Sequence, residues 1–223
     1  MVDRGASQEV VGIAETLLSR EVLSRSLHGN ISVRLPDGER LVMTGSSLVG
    51  LSEDDLATVD LDGQVLDGHM APTEREIVLM HAAIYRERPD VTCIVHTHSP
   101  YATTFAVAGR PLPLVAESLA RWGVTDPIPV ARWAPRGSDD AVGFILDAVR
   151  TSDTTPAVLL ESHGILAWGG SSNEALRRTI AIEENAQLAV LAQALGGPKE
   201  LTPDMARAAV ARKDAFSGTT GQR

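Results

Sequence analysis

The sequence predicts an α/β fold in which helices and strands are mixed within one domain. Short apolar runs bounded by Gly, Pro and Asp indicate strands, and longer segments carry apolar residues at helical spacing. With 223 residues and 43% hydrophobic content, the chain can bury a sizeable core. No repeat, linker or low-complexity segment divides it. We therefore predict one domain over residues 1–223, with a flexible tail from about residue 216.

Composition argues against several classes of partner. A net charge of −9 is unfavourable for binding nucleic acid or an anionic membrane surface. The single cysteine cannot form an internal disulfide, and the N-terminal residues lack the apolar core of a signal peptide. No apolar run approaches the roughly 18 residues of a membrane span. We expect a cytoplasmic protein with a small-molecule substrate and with neither nucleic-acid nor membrane partners.

The first half of the chain alternates helices with hairpins. Apolar spacing predicts a first helix over Ser7–Leu27, ended by Gly29-Asn30. Turn residues then separate paired strands, and Pro72-Thr73 opens a further helix. The later elements predicted in this half are strands Ile31–Leu35 and Leu41–Met43, strands Ala57–Leu61 and Gln64–Leu66, a helix from about Glu74 to Arg86, and strand Val91–Val95.

The second half continues in the same way and ends in a long helix. Gly196-Gly197-Pro198 should terminate that helix, since glycine favours helix ends and proline prevents continuation. The predicted elements are helix Pro100–Val107, strands Leu112–Val115 and Ile128–Val130, helix Ser138–Val149, strands Ala157–Leu160 and Ile165–Trp168, and helix Asn173–Leu195.

Three histidines lie where apolar strands end. His96 and His98 are two residues apart, so on a strand their side chains project from the same face. His163 follows another apolar run and precedes Gly164. Three imidazoles with an open position are the ligand set of a catalytic zinc or similar divalent ion. The alternative is that these are ordinary histidines at strand ends.

Other polar residues are open to two interpretations. Glu74 and Glu76 fall in the first turn of a helix and are candidates for a general base. Glu161 is either a partner of His163 or an edge charge. The loop Thr44–Ser47 is either an anion-binding nest or a plain turn. For the remaining residues we expect structural or solvent-facing roles, with Cys93 as a core thiol: His28, His69, His81 and Cys93.

Six short motifs occur in an order and spacing that resemble a known family. They are Gly29-Asn30-Ile31-Ser32-Val33-Arg34, Thr44-Gly45, Pro72-Thr73, Arg88-Pro89-Asp90, Val95-His96-Thr97-His98-Ser99 and Ser162-His163-Gly164. Together they resemble the class II aldolase/adducin family, and the resemblance extends from about Val10 to Gly197. The His-x-His motif combined with a later His-Gly is its most specific part.

The resemblance implies a three-layer αβα fold with a central, mostly antiparallel sheet flanked by helices. It also implies a cyclic homotetramer with active sites between subunits. By this resemblance His96, His98 and His163 bind zinc, and an acidic residue before the His-x-His motif ligates the metal or acts as acid and base. The residues implied in binding the substrate phosphate are Gly29, Asn30, Thr44, Gly45 and Thr73.

The chain departs from the family pattern at two positions. The segment from Pro72 to His81 is two residues longer, so Glu74 and Glu76 compete for the place of the acid. Counting back from His81 leaves Glu76 one residue out of register and Glu74 three, so we choose Glu76 and keep Glu74 as the alternative. Glu117 stands where fuculose-phosphate aldolases carry a proton-donating tyrosine, and it is a candidate for that role.

The leading functional hypothesis is a metal-dependent aldolase that cleaves a C–C bond of a small ketose, expected to be phosphorylated, through a metal-stabilised enediolate. Zn²⁺ is the first choice of ion, with Mn²⁺ or Co²⁺ as alternatives. The rival enzyme hypotheses are a decarboxylase or an epimerase of the same family, acting on a hydroxy-carboxylate or a pentulose phosphate. A non-catalytic, adducin-like scaffold is the rival from another class, although the scaffold domains lack the three histidines.

Overall fold

A computed structural model describes residues 2–152 and 154–217, except for the side chains of Thr73 and of residues 213–217. Its strands form one sheet of eight, ordered β4-β3-β2-β1-β5-β8-β7-β6. The strands are β1 Gly29–Arg34, β2 Arg40–Thr44, β3 Leu56–Asp60, β4 Val65–Gly68, β5 Cys93–Thr97, β6 Val130–Ala131, β7 Ala157–Leu160 and β8 Gly164–Gly169. The α-helices are α1 Arg4–Ser19, α2 Pro72–Glu87, α3 Pro100–Val107, α4 Glu117–Ala120, α5 Asp139–Val149, α6 Ser172–Leu191 and α7 Pro203–Ser217.

The sheet is mostly antiparallel, as predicted. Strand β5 lies near its centre and pairs antiparallel with β1 on one side and β8 on the other. The short edge strand β6 pairs parallel with β7, and the other neighbouring strands of the sheet run antiparallel. Both hairpins predicted in the first half are present as β1–β2 and β3–β4.

Successive residues of the central strand belong to different parts of the core. Ile94 packs in a cluster with Ile84 of α2 and Ile145 of α5. Val95, the next residue, packs in a second cluster with Leu17 of α1. Because successive side chains of a strand point to opposite faces, β5 is buried on both faces, and this accounts for its continuous apolar sequence.

The first helix differs from its prediction at both ends. It begins at Arg4, because the Asp3 side chain accepts a hydrogen bond from the backbone N–H of Ala6 at 2.9 Å and caps the helix. It ends at Ser19, whereas the prediction extended it to Leu27. Val22 is buried in the connecting loop, so its apolar character reflects core packing rather than helical periodicity.

The C-terminal region also differs from its prediction. Helix α6 is capped by Ser171 and ends at Leu191, followed by a short 3₁₀ helix over Ala192–Leu195. Helices α4 and α7 were not predicted from the sequence, and α7 includes the start of the predicted flexible tail. Residues 218–223 lie outside the described part of the chain. None of the described helices is long and apolar enough to cross a membrane.

Candidate metal centre

The pairing of β5 with β8 brings the three histidines together. Thr97 pairs with Ile165 in this antiparallel ladder, so His98 and His163, which lie just beyond the paired residues, meet at the same end. His163 lies in the turn between β7 and β8, after Ser162, which adopts a left-handed conformation with φ of 59°. His96 lies within β5 itself.

The three imidazole rings converge on one point. The ring centroids are 5.0 Å apart for His96 and His98, 4.8 Å for His96 and His163, and 4.7 Å for His98 and His163. One nitrogen from each ring lies within 4.8 Å of the other two. The sequence therefore predicted correctly that these side chains are grouped.

The spacing of the His96 and His98 donor atoms is compatible with a tetrahedral metal ion. The Nε2 atoms of His96 and His98 are 3.2 Å apart, close to the roughly 3.3 Å that tetrahedral geometry requires of two nitrogens about 2.05 Å from zinc. Nδ1 of His96 lies 2.7 Å from the carbonyl oxygen of Ile165, to which its N–H can donate. That bond orients the ring and leaves Nε2 available as a ligand.

The surroundings favour the neutral imidazole, which is the form that binds metal. Burial, together with the neighbouring His163 and His98, holds the pKa of His96 well below its usual value. Burial is also the main cause that lowers the pKa of His98 to about 4, with His163, His28 and Arg136 contributing. The pKa of His163 is lowered by burial first and then by Arg136 and His28.

The two candidate acids differ in their surroundings. Glu74 is half-buried, and its Oε2 atom is buried without a hydrogen-bond partner among the described residues. Burial raises the pKa of Glu74, while the positive charge of Arg136 and the nearby His28 oppose that rise. Glu76 is exposed, and one of its oxygens lies 3.1 Å from Nε of Arg136. Glu74 thus has an unsatisfied carboxylate, and Glu76 is engaged in an ion pair.

Glu117 lies in the short helix α4, which the sequence analysis did not predict. Its side chain is exposed and forms an ion pair with Arg121 at 2.7 Å, four residues along the same helix. Among the described residues, no contact joins it to the three histidines.

The residues implied in phosphate binding lie near strand β5, which carries His96, but their polar groups are not equally free to bind a ligand. Asn30 is paired with His96 across the β1–β5 ladder, and its buried Oδ1 atom has no partner in the described chain. Gly29 pairs with Thr97 next to it. The buried Thr44 hydroxyl accepts a hydrogen bond from the backbone of Ile31 at 3.2 Å.

Gly45 and Thr73 complete that set. The backbone N–H of Gly45 donates to the carbonyl of Asp55 at 2.9 Å, so this amide already has a partner. The backbone of Thr73 belongs to α2, whereas its side chain lies outside the described residues.

The structure places two further residues at the site that the sequence analysis did not assign to it. The His28 ring lies 5.8 Å from the His98 ring, between centroids. Arg136, in the loop before α5, influences the pKa of His98 and His163. The position of His28 directly before the Gly29-Asn30 turn was the available sequence signal. Arg136 had none, since the loop that carries it is folded against distant elements.

Glu161 acts as a link between loops. Its Oε2 accepts a hydrogen bond of 2.7 Å from the backbone N–H of Trp133. This contact ties the turn that carries His163 to the loop that carries Arg136.

Comparison with known proteins assigns the family. Residues 8–190 match the family described as Class II Aldolase and Adducin N-terminal domain, so the chain belongs to this family, as its motifs predicted. It is 32% identical over 201 residues to a 5-deoxy-D-ribulose 1-phosphate aldolase from Bacillus thuringiensis serovar kurstaki, covering 88% of this chain and 90% of the relative. A probable L-ribulose-5-phosphate 4-epimerase from Mycoplasma pneumoniae is 30% identical over 210 residues and 85% of each chain.

Solved structures agree with this assignment. An L-fuculose 1-phosphate aldolase superimposes with a TM-score of 0.83 at 26% identity, covering 95% of this chain and 97% of the other. The similarity therefore extends over nearly the whole fold.

Proposed function

We propose that the protein is a metal-dependent, class II aldolase-type lyase that cleaves a C–C bond of a small phosphorylated ketose. The observation that carries the proposal is the convergence of His96, His98 and His163 on one point in a member of this family. The aldolases among its relatives act on ketose 1-phosphates by name, which supports a sugar-phosphate substrate.

His96, His98 and His163 would hold the ion, with Zn²⁺ proposed and Mn²⁺ or Co²⁺ as alternatives. When bound, a divalent ion supplies a Lewis acid that polarises substrate oxygens and stabilises negative charge during C–C cleavage. The histidines contribute by being held neutral and by presenting three nitrogens to one side of the site. The hydrogen bond from His96 to Ile165 keeps that geometry fixed.

For the proton-transferring acid we propose Glu74 in preference to Glu76. A half-buried carboxylate with a raised pKa and an unpartnered oxygen is suited to exchange a proton with substrate. Glu76 is less suited, because Arg136 neutralises it at the surface. Glu117 remains the proposed proton donor of a neighbouring subunit, an arrangement that its exposed position permits.

The substrate phosphate is proposed to bind at the start of β1, the end of β2 and the start of α2, through Gly29, Asn30, Thr44, Gly45 and Thr73. The side-chain amide of Asn30 supports this part of the proposal, since its N–H groups can donate to phosphate oxygens. Its unpartnered Oδ1 only accepts and is suited to a substrate hydroxyl or a water. The Thr44 hydroxyl accepts one hydrogen bond and can still donate another.

An epimerase or a decarboxylase is the second candidate, favoured by the similarity to a 4-epimerase. A thermal-shift measurement with inorganic phosphate helps to separate these functions, because a ligand that binds the native state raises the unfolding temperature. Protection by phosphate supports a sugar-phosphate substrate, and its absence favours a decarboxylase. Retention of all three histidines argues against a non-catalytic scaffold.

We further propose a cytoplasmic homotetramer built from a single three-layer αβα domain. The separate clusters around Ile94 and Val95 support helices on both faces of the sheet. Large apolar side chains are exposed near the ends of α3 and α6, and a subunit interface would cover them. They are Val107, Leu188, Leu191 and Leu195. Light scattering of the purified protein tests this assembly.

The central experiment combines metal analysis with a substrate panel. We expect about one divalent ion per chain and aldehyde release from at least one ketose phosphate. His96→Ala should lose both the ion and the activity. His69→Ala is the matched control, since His69 is an exposed histidine outside the metal-binding group. Full activity in metal-free protein would refute the proposal.

A further inference from the structure

A cleft of about 310 Å³ is lined in part by His163, one of the three grouped histidines. Its floor is apolar and includes Met80, Ile145 and Leu160. Its rim is polar and includes His163 and Arg136. A ligand that reaches His163 can therefore extend into this cleft towards the arginine.

Arg136 is held at this rim by Glu76. Their side chains are joined at 3.1 Å through Nε of the guanidinium. The adjoining Gly137, with φ of 78°, packs so closely on Glu76 that an added Cβ would lie 3.1 Å from the Glu76 Cβ. The loop and the carboxylate are thus fitted to each other over more than one contact.

The ion pair leaves donor groups of Arg136 unused. Glu76 engages Nε, and within the described part of the chain Nη1 and Nη2 have no hydrogen-bond partner. Arg132, the other arginine lining the cleft, lies over the Phe144 ring with its Cζ 4.0 Å from the centroid. Arg136 is therefore the better placed of the two to bind a ligand through the planar edge of its guanidinium.

Arg136 brings a positive charge to the lining of this cleft. Glu161 lines the cleft, Glu76 pairs with Arg136 and Glu74 lies within reach of its charge, so an anion would be repelled if no cation were present. A cation at this position offsets that repulsion on the side facing the cleft.

We propose that the cleft between His163 and Arg136 is an anion subsite. In it, Arg136 binds a carboxylate or phosphate group on the part of the substrate that extends away from the metal-binding histidines. Glu76 is a positioning residue that orients the guanidinium. This inference rests on the proposed function only in taking the substrate to lie at His163.

The test uses Trp133, an exposed residue that lines the cleft, as a local fluorescent reporter. Zinc-loaded protein is titrated with inorganic phosphate and, separately, with acetate at constant ionic strength. The tighter of the two anions identifies the group that the subsite takes. Trp133→Phe should abolish the signal, because the other tryptophans do not line this cleft.

Arg136→Met should weaken binding by about 10- to 100-fold, the range expected when a charge-assisted hydrogen bond is lost. Arg136→Lys should weaken it less. Glu76→Gln should weaken binding with unchanged zinc content, and Glu76→Asp should restore part of it. The matched control is Arg150→Met, which breaks an exposed ion pair with Glu87 outside the site.

Equal affinities of wild type and Arg136→Met would overturn the inference, as would an equal loss in Arg150→Met or a full signal in Trp133→Phe. These titrations require no turnover. A failure of the anion subsite therefore leaves the aldolase proposal intact, and absence of C–C cleavage leaves the subsite result intact.

Discussion

Replacing Gly164 by alanine tests whether the metal centre depends on the close approach of β8 to β5. Gly164 directly follows His163 and has no room for a side chain. An added Cβ would lie 2.5 Å from the carbonyl oxygen of Thr97, 2.9 Å from Cδ2 of His98 and 3.4 Å from Cε1 of His96. The first two contacts are shorter than real Cβ atoms show, and the shorter of them is with backbone.

The size of the expected effect on zinc affinity and stability follows from these distances. Normal contact between carbon and oxygen is near 3.3 Å, so the strands or the His98 ring must move by roughly 0.5–1 Å. A displacement of that size exceeds the ~0.5 Å within which a binding constellation must be held. We expect the Kd for zinc to rise about 10- to 100-fold. The free energy of unfolding of metal-free protein should fall by about 1–3 kcal/mol, as in other overpacked cores.

Zinc affinity is measured by competition with a chromogenic chelator, and stability by urea unfolding. Gly143→Ala in α5 is the matched control, because nothing lies within 4 Å of its added Cβ. That variant should keep zinc affinity and gain about 0.5–1 kcal/mol, since alanine favours helix. Wild-type zinc affinity in Gly164→Ala would refute the view that this contact sets the ligand geometry.

Three other predictions follow from buried groups. Glu183→Gln should lower the free energy of unfolding by about 2 kcal/mol. The carboxylate accepts hydrogen bonds from two backbone N–H groups in the first turn of α3, and a glutamine side chain, with one oxygen, leaves one of those N–H groups unpaired. An unchanged urea midpoint would contradict this. Burial lowers the pKa of His81 to about 3. Below its unfolded pKa of about 6.5 the unfolded state binds more protons, so near pH 5 the protein should lose about 2 kcal/mol through this group. Urea unfolding of His81→Asn should show a correspondingly weaker pH dependence, and an identical slope would exclude this origin. Burial raises the pKa of Cys93 to about 12, so a thiol reagent should modify it only in denaturant, and rapid labelling of native protein would count against the predicted environment.

The strands and their histidines were predictable because strong local patterns specify them. Apolar runs that stop at histidine or glycine locate β5 and β8 to within a few residues of the observed bounds. Helices with clear capping residues were equally predictable from the sequence, as the Ser138 cap before α5 illustrates. By contrast, the apolar residues between Ser19 and Leu27 are buried in a loop, and periodicity alone cannot separate that case from a helix.

The choice between Glu74 and Glu76 could not be made from the sequence. A helix places residues two apart on different faces, so the two carboxylates necessarily have different surroundings. Which of them faces the site depends on the loop that carries Arg136, more than 50 residues later in the chain. Burial and pairing in the folded protein are the basis for proposing Glu74. Contacts between distant parts of the chain also bring His28 and Arg136 to the site, which is why neither was assigned to it from the sequence.

The register between β5 and β8 connects the fold to the proposed chemistry. Thr97 opposite Ile165 places His98 and His163 at the same end of the ladder, and His96 donates to the Ile165 carbonyl. A shift of one residue would exchange the faces of β8, moving Leu166 out of the cluster that contains Ile94. The core that fixes this register thereby fixes the three nitrogens. The proposed acid and the proposed anion subsite lie on α2 and on the loop before α5, outside that ladder, so the three-histidine group can be retained while the residues facing the substrate change.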